Sequence, residues 1–168
     1  FYKYKYRYLK TFRKGSIQVI KLHIDEKGKD YNVAKLVIET FNEFVGVDYS
    51  EEGKNSFYEF INDGKIFTNM LLAHEFLITA KVNQEIVGII TTRERAHISL
   101  LFVRKDYQGR GISRDLLESL LDLTEKETLT VNSSPYALEI YKKLGFVIQE
   151  NLQEKDGIKF IPMEMQVV

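Results

Sequence analysis

Residues 97–113 read HISLLFVRKDYQGRGIS, and how this stretch is read decides the fold. His97–Val103 is an apolar, β-rich run. Ile112 opens a leucine-rich segment in which Ile112, Leu116, Leu120 and Leu123 form one helical stripe, with Leu117 and Leu121 beside it. Between the two stands Gln108-Gly109-Arg110-Gly111-Ile112-Ser113. The spacing predicts a strand, a glycine turn and a helix. The first N–H groups of such a helix lack intrahelical partners and sit at the positive end of the helix dipole, so the turn suits a phosphate. Gly109 and Gly111 would let an anion approach the backbone, and Arg110 adds a permanent cation with bidentate reach. Two common phosphate loops do not fit. A Walker loop requires Gly-Lys-Ser/Thr, which is missing, and position 114 is Arg where a dinucleotide fingerprint needs its last Gly. A plain strand-to-helix turn, with glycines for tight packing, stays open as the alternative.

Upstream of this stretch the pattern has period two. Glu75–Val82, Ile86–Arg93 and His97–Val103 are three β runs with short links, which reads as antiparallel hairpins. Ser16–His23 alternates apolar and polar residues and reads as an earlier strand. Two helices lie between. The first covers residues 30–46, with Val33, Leu36, Val37, Phe41 and Phe44 near helical spacing and Gly46 as its stop. The second starts at Ser50, with Glu51 and Glu52 suited to its N-terminus and Phe57, Phe60 and Ile61 facing inward. Downstream, 128–131 is a short buried strand. A helix over 134–145 follows, with Ser134 as cap, Pro135 in its first turn and Gly145 at its end. Strands at 146–153 and 158–167 flank the turn EKDG. The order predicts an α/β (α+β) mixed sheet of about seven strands, mostly antiparallel, with four main helices. The fourth and fifth strands, joined through a helix, must pair in parallel.

At 168 residues the chain is expected to be one domain, able to bury a core without disulfides. It has no cysteine, which excludes disulfides, thiolate nucleophiles and Cys-ligated metals. His23, His74 and His97 lie far apart, so no metal is expected. No apolar run approaches the roughly 18 residues of a membrane helix, and no secretory segment is evident, so a cytoplasmic location is expected. Charge is balanced at 24 basic and 24 acidic residues, but unevenly spread. The head, FYKYKYRYLKTFRK at 1–14, holds six Lys/Arg and no acid, leaving the body at −6. This N-terminal extension reads as an edge strand, a frayed end or a vector-derived leader, and 15–168 as the domain proper. Neither nucleic acid nor membrane is expected as a partner.

HISLLFVRKDYQGRGIS followed at a distance by VNSSPYALEIYKKLGF resembles the GNAT N-acetyltransferase superfamily. The family's pyrophosphate loop, [QR]-x-x-G-x-[GA], matches at Gln108 and Gly111 and departs only at Ser113, a small residue where Gly or Ala is usual. Its second block matches at Ser134, Ala137, Tyr141, Gly145 and Phe146. The resemblance covers about 15–168 and implies acetyl-CoA as co-substrate. It places the pyrophosphate on Gln108, Gly109, Arg110, Gly111, Ile112 and Ser113, and the pantetheine arm on main-chain groups of Leu101, Phe102 and Val103, where the strand splays from its parallel neighbour. Asn132 and Ser134 would border the thioester. Tyr141 would protonate the leaving thiolate, and the N–H near Val103 would face the oxyanion.

A general base is less constrained. His97 matches a strand position where family members carry a glutamate, and alternation places it in phase with Ser99, Leu101 and Val103. Glu94 or water are the other routes. The segment 40–53, with Phe41, Phe44, Tyr49, Glu43 and Asp48, is expected to line an acceptor pocket suited to a cationic primary amine, whether small molecule, amino acid or peptide. A catalytically inactive CoA-binding sensor module of the same fold is the alternative, and the chain is expected to be a monomer or homodimer.

Overall fold

The computed structural model describes residues 13–14, 17–21, 31–62, 76–83 and 85–167. Residues 1–12 of the basic head, His23 and His74 lie outside them. Thirteen principal elements follow in order: β1 (Arg13–Lys14), β2 (Ile17–Lys21), α1 (Tyr31–Thr40), α2 (Glu51–Asn62), β3 (Leu77–Val82), β4 (Glu85–Arg93), β5 (His97–Val103), α3 (Ile112–Leu121), β6 (Thr128–Ser133), α4 (Leu138–Leu144), β7 (Val147–Ile148), β8 (Gln153–Lys155) and β9 (Ile158–Gln166). The strands form one mixed sheet in the order β1-β2-β3-β4-β5-β6-β9-β7, with β8 also on β9. Every pairing is antiparallel except β5 with β6.

The strand count exceeds the expected seven for two reasons. Arg13–Lys14 adds a two-residue strand at the edge, and the single strand expected over 146–153 is broken into β7 and β8. The break falls opposite Pro162 of β9, which has no N–H to give to a ladder. The chain there keeps one bond, from the Gln149 N–H to the Pro162 carbonyl at 2.9 Å.

Apolar residues are divided between the two faces of the sheet. On one, Ile78, Ile90, Ile98, Val103, Leu129, Val131 and Met163 pack with Ile112, Leu116, Leu117 and Leu120 of α3 and Tyr141 of α4. On the other, Leu77, Ile89 and Leu100 pack with Val33, Leu36 and Val37 of α1 and Ile61 of α2. The leucine stripe of α3 faces the sheet as its spacing requires.

Two helices differ from expectation in ways that shape the site. α1 is α-helical only to Thr40. It continues as a π turn over Phe41–Val45, closed by the Gly46 N–H on the Phe41 carbonyl, and then as a 3-10 turn over Gly46–Asp48. Such π turns recur at functional sites because they re-aim one residue without ending the helix. α4 starts at Leu138, later than the expected start at Ser134. Ser134 instead caps a preceding turn, its Oγ accepting from the Ala137 N–H at 3.2 Å. α2 begins after Ser50, close to the expected start, and Ser50 caps it, its Oγ accepting from the Gly53 N–H at 3.1 Å.

Candidate active site

The site begins where the sheet comes apart. β5 and β6 are in register only at His97↔Thr130 and Ile98↔Val131. Just beyond, the β4–β5 ladder slips between Thr91 and Thr92, pairing Thr91 with Leu100 and Thr92 with Ile98, so Ser99 is an extra residue on β5. A bulge bends and twists its strand, and here it carries β5 away from β6. Main-chain direction follows from alternation. The Arg104 N–H bonds the Val87 carbonyl at 2.8 Å, which sends Phe102 main-chain groups to β4 as well. Main-chain groups of Leu101 and Val103 therefore face the parting, and those of Phe102 face β4. The Val103 carbonyl is already engaged by the Gln108 side-chain amide at 3.0 Å, leaving its N–H toward the gap.

The glycine turn closes one end of the parting. Gly109 and Gly111 have φ of +73° and +84°, a region that side-chain-bearing residues rarely adopt. A Cβ at either position would meet nothing within 4 Å. Tight packing is thus not the reason for these glycines. They hold the turn's conformation and keep the space above it clear. The first bond of α3 runs from the Asp115 N–H to the Gly111 carbonyl at 3.0 Å, so the amides of Ile112, Ser113 and Arg114 precede it. Arg110 is stacked on Tyr107, 4.8 Å from the ring centre, and Arg104 lies at the same distance from that ring. Arg114 reaches the carbonyl of Lys143 near the end of α4 at 3.2 Å, tying the two helices together.

A cavity of about 1050 Å³ runs from this turn across the parting to α2. His97, Leu101, Phe102, Val103, Gln108, Gly109, Gly111, Ile112, Ser113, Asn132, Ser134 and Tyr141 all line it. Arg110 and Glu94, also singled out in the sequence, do not. Tyr141 is only 5% exposed, with its ring edge-on to Phe146 at 5.4 Å. No described residue hydrogen-bonds its hydroxyl, and burial pushes the phenol well above its ordinary range, so it stays protonated. It is a neutral donor facing the cavity.

His97 stands at the other side of the parting. Its Nδ1 lies 2.8 Å from Thr130 Oγ1. When Nδ1 carries the proton, the hydroxyl accepts it and Nε2 is left as an acceptor. Burial, then the charge of Arg93, lowers its pKa to about 4, with Glu94 opposing, so the ring is neutral at pH 7. The Ser99 bulge also corrects the expected phase. Val103 packs on the α3 face, and Leu101 packs against it. Thr130 alternates with Leu129 and Val131 of that same face, so Thr130 and its partner His97 belong to the α1–α2 face.

The α1–α2 side of the cavity is aromatic. Phe41 is fully buried and stacked on Phe57 at 3.7 Å, and Phe44 is stacked on Tyr136 at 5.1 Å. Phe41, Phe44 and Tyr49 line the cavity as expected. The two acids expected with them do not: Glu43 is paired with Lys105, and Asp48 lies off the lining. Arg93, Lys155, Asp156 and Phe160, missed in the sequence, take their place. The turn between β8 and β9 brings Lys155 and Asp156 over because Gly157 lies against Gly53: a Cβ on Gly53 would sit 2.4 Å from the Gly157 carbonyl. Nothing local in the sequence announces a contact across about a hundred residues. Arg93 was legible only as the end of a hairpin strand. Among the described residues, no group of His, Asp and Glu is placed to hold a metal, and no helix is long and apolar enough to cross a membrane.

The fold and site are thus a mixed sheet parted beside a glycine turn that opens a helix. The description of an acetyltransferase (GNAT) domain matches residues 45–167, and the chain belongs to that family. Solved structures share the fold at low identity. A GCN5-related N-acetyltransferase from Rhodopseudomonas palustris superposes with a TM-score of 0.75 at 23% identity, over 90% of this chain and 96% of its own. The PaiA N-acetyltransferase of Thermoplasma acidophilum, solved with coenzyme A, gives 0.71 at 19% identity, over 90% and 99%. A GNAT-family acetyltransferase from Staphylococcus aureus Mu50 gives 0.70 at 15% identity, over 90% and 99%. No curated protein matches the sequence significantly.

Proposed function

We propose that the protein is an N-acetyltransferase that moves an acetyl group from acetyl-CoA to a primary amine by direct attack in a ternary complex. The observation that carries this reading is Tyr141: a buried phenol, held protonated by burial, that lines the cavity joining the glycine turn to the aromatic side. The residues present fit a coenzyme A thioester. Clear space over Gly109 and Gly111, with the unpaired amides of Ile112, Ser113 and Arg114, suits a pyrophosphate. Ser113 leaves the family pattern by one hydroxyl and, lining the cavity, can donate to the same anion. Main-chain groups of Leu101 and Val103 offer an amide-bearing arm a strand-like edge, and Asn132 and Ser134 border its end. Arg110 lies beside the cavity, where it would meet phosphate from outside.

The thioester, when bound, supplies an activated acyl carbon and a good leaving group. The neutral amine forms the C–N bond as the C–S bond breaks. Tyr141 gives its proton to the departing sulfur and regains one from solvent. His97 Nε2, held neutral, receives the proton the nitrogen sheds, directly or through water. The Val103 N–H faces the carbonyl oxygen as it gains charge. Turnover assays reading free CoA release against an amine panel test this reading. Release that depends on both amine and Tyr141 supports it. CoA binding without release from any amine favours the sensor module instead.

A further inference from the structure

The acceptor's chemical class is written in the charges around His97; this inference rests on the amine acylation proposed above. Arg93 ends β4 and is the register partner of His97, so the two side chains leave the same face of the sheet about 5 Å apart at Cβ. Arg93 lines the cavity, and among the described residues no carboxylate pairs with it. Neighbouring charges are accounted for differently. Glu94 follows in the turn and is not on the lining, while Arg95 lies over the Phe76 ring at 5.5 Å. Glu43, which could have matched a cationic acceptor, is held by Lys105. Asp156 is the lining's acid among the described residues, and Lys155 stands next to it. Arg93, Arg114, Lys143 and Lys155 against Asp156 leave the cavity lining with a positive balance among the described residues. A polyamine would add like charge to it, so the cationic acceptor expected from residues 40–53 does not fit.

We propose that Arg93 anchors a carboxylate, and that the acceptor is an amine bearing a free carboxylate a few bonds from its nitrogen, an amino-acid-type acceptor. The guanidinium fork matches a carboxylate bidentately. With the carboxylate on Arg93, the amine of such a molecule would lie on the His97 side of the cavity that Tyr141 also lines. Arg93 is exposed at the mouth of the cavity, so specificity then arises from the pair it forms with a carboxylate and cannot form with an uncharged analogue.

The test compares free amino acids, their carboxamides and linear diamines as acceptors for the full-length protein with acetyl-CoA, in wild type, Arg93→Gln and Arg93→Lys. Wild type should favour carboxylates over carboxamides in kcat/KM by about 10- to 100-fold, the range of a charge-assisted hydrogen-bonded pair. Arg93→Gln should collapse that ratio toward one, and Arg93→Lys should restore part of it. Preference for diamines or carboxamides in wild type, or an unchanged ratio in Arg93→Gln, overturns the proposal while leaving acetyl transfer standing. If no amine is turned over, the acylation reading fails separately. Calorimetric titration of amino acids into the CoA-saturated protein then decides Arg93: binding weakened about 10-fold or more by Arg93→Gln supports the anchor, and no binding in wild type removes it.

Discussion

Tyr141 is held protonated and His97 unprotonated, each chiefly by burial. Both are partly withdrawn from water, and in both the uncharged form wins. Tyr141→Phe removes only the hydroxyl from a ring packed on Phe146. Turnover should fall by about 10²-fold or more while the CoA dissociation constant stays within about 3-fold, as expected when an acid used only in the transition state is lost. Stopped assays beside calorimetry would show the split. For His97, an NMR titration of the imidazole should find its midpoint near pH 4 rather than 6.5. Arg93→Gln removes the neighbouring positive charge and should move that midpoint up. The sign for stability follows. The unfolded chain takes up this proton below about pH 6.5 and the folded chain only near pH 4, so His97 costs stability as pH falls through that window. His97→Gln should flatten this part of the acid-denaturation profile. Thr130→Val, which deletes the hydroxyl at Nδ1, should mix the two ring tautomers seen by nitrogen NMR.

Among the elements, the glycine turn and the roof over the acceptor side make separable predictions. Gly111→Ala puts a Cβ on a residue with φ of +84° and into the clear space above the turn. It should cost about 1–2 kcal/mol of stability and weaken CoA binding about 10-fold, as measured by chemical denaturation and calorimetry. Gly53→Ala should act on the roof, since its Cβ would overlap the Gly157 carbonyl. A loss of about 1–3 kcal/mol is expected, with the acceptor KM rising more than the CoA constant. The same elements show what the sequence could carry. Strand and helix periodicity, the hairpins, the start of α2 near Ser50 and the glycine turn are local patterns, and they were legible. The Ser99 bulge was not, because HISLLFV alternates no worse than a regular strand. The π turn at Phe41 was hidden because its residues still fit helical spacing. Lys155 and Asp156 reached the site through a contact made by two glycines far apart in the chain, which leaves no periodic trace. Arg93 escaped notice because a charged residue at a hairpin end is ordinary until the register places it opposite His97.

For the molecule as a whole, one cavity meets residues from β4, β5, α2, α3, α4 and the β8–β9 turn, so ligand binding is coupled to global stability. Saturation with CoA at about 100 times its dissociation constant should add about 2.7 kcal/mol, a rise in Tm of a few degrees by calorimetry. Gly111→Ala should lose most of that rise at the same CoA concentration. The parting between β5 and β6 also has a consequence for motion. Two register pairs make a short hinge, and beyond it the portion ending at β5 and α3 meets the portion starting at β6 through packed side chains and the Ser50–Gly157 roof contact. Held by so few ladder pairs, this seam should open more readily than the ladders beside it. Amides of Leu101 and Val103, turned away from β4, should exchange with solvent faster than those of Leu100 and Phe102. A thioester arm lying in the seam would slow them, acting as the strand the sheet lacks. A line left open by the fold would then be the one a ligand knits shut, and the loose state would be the one open to the next molecule.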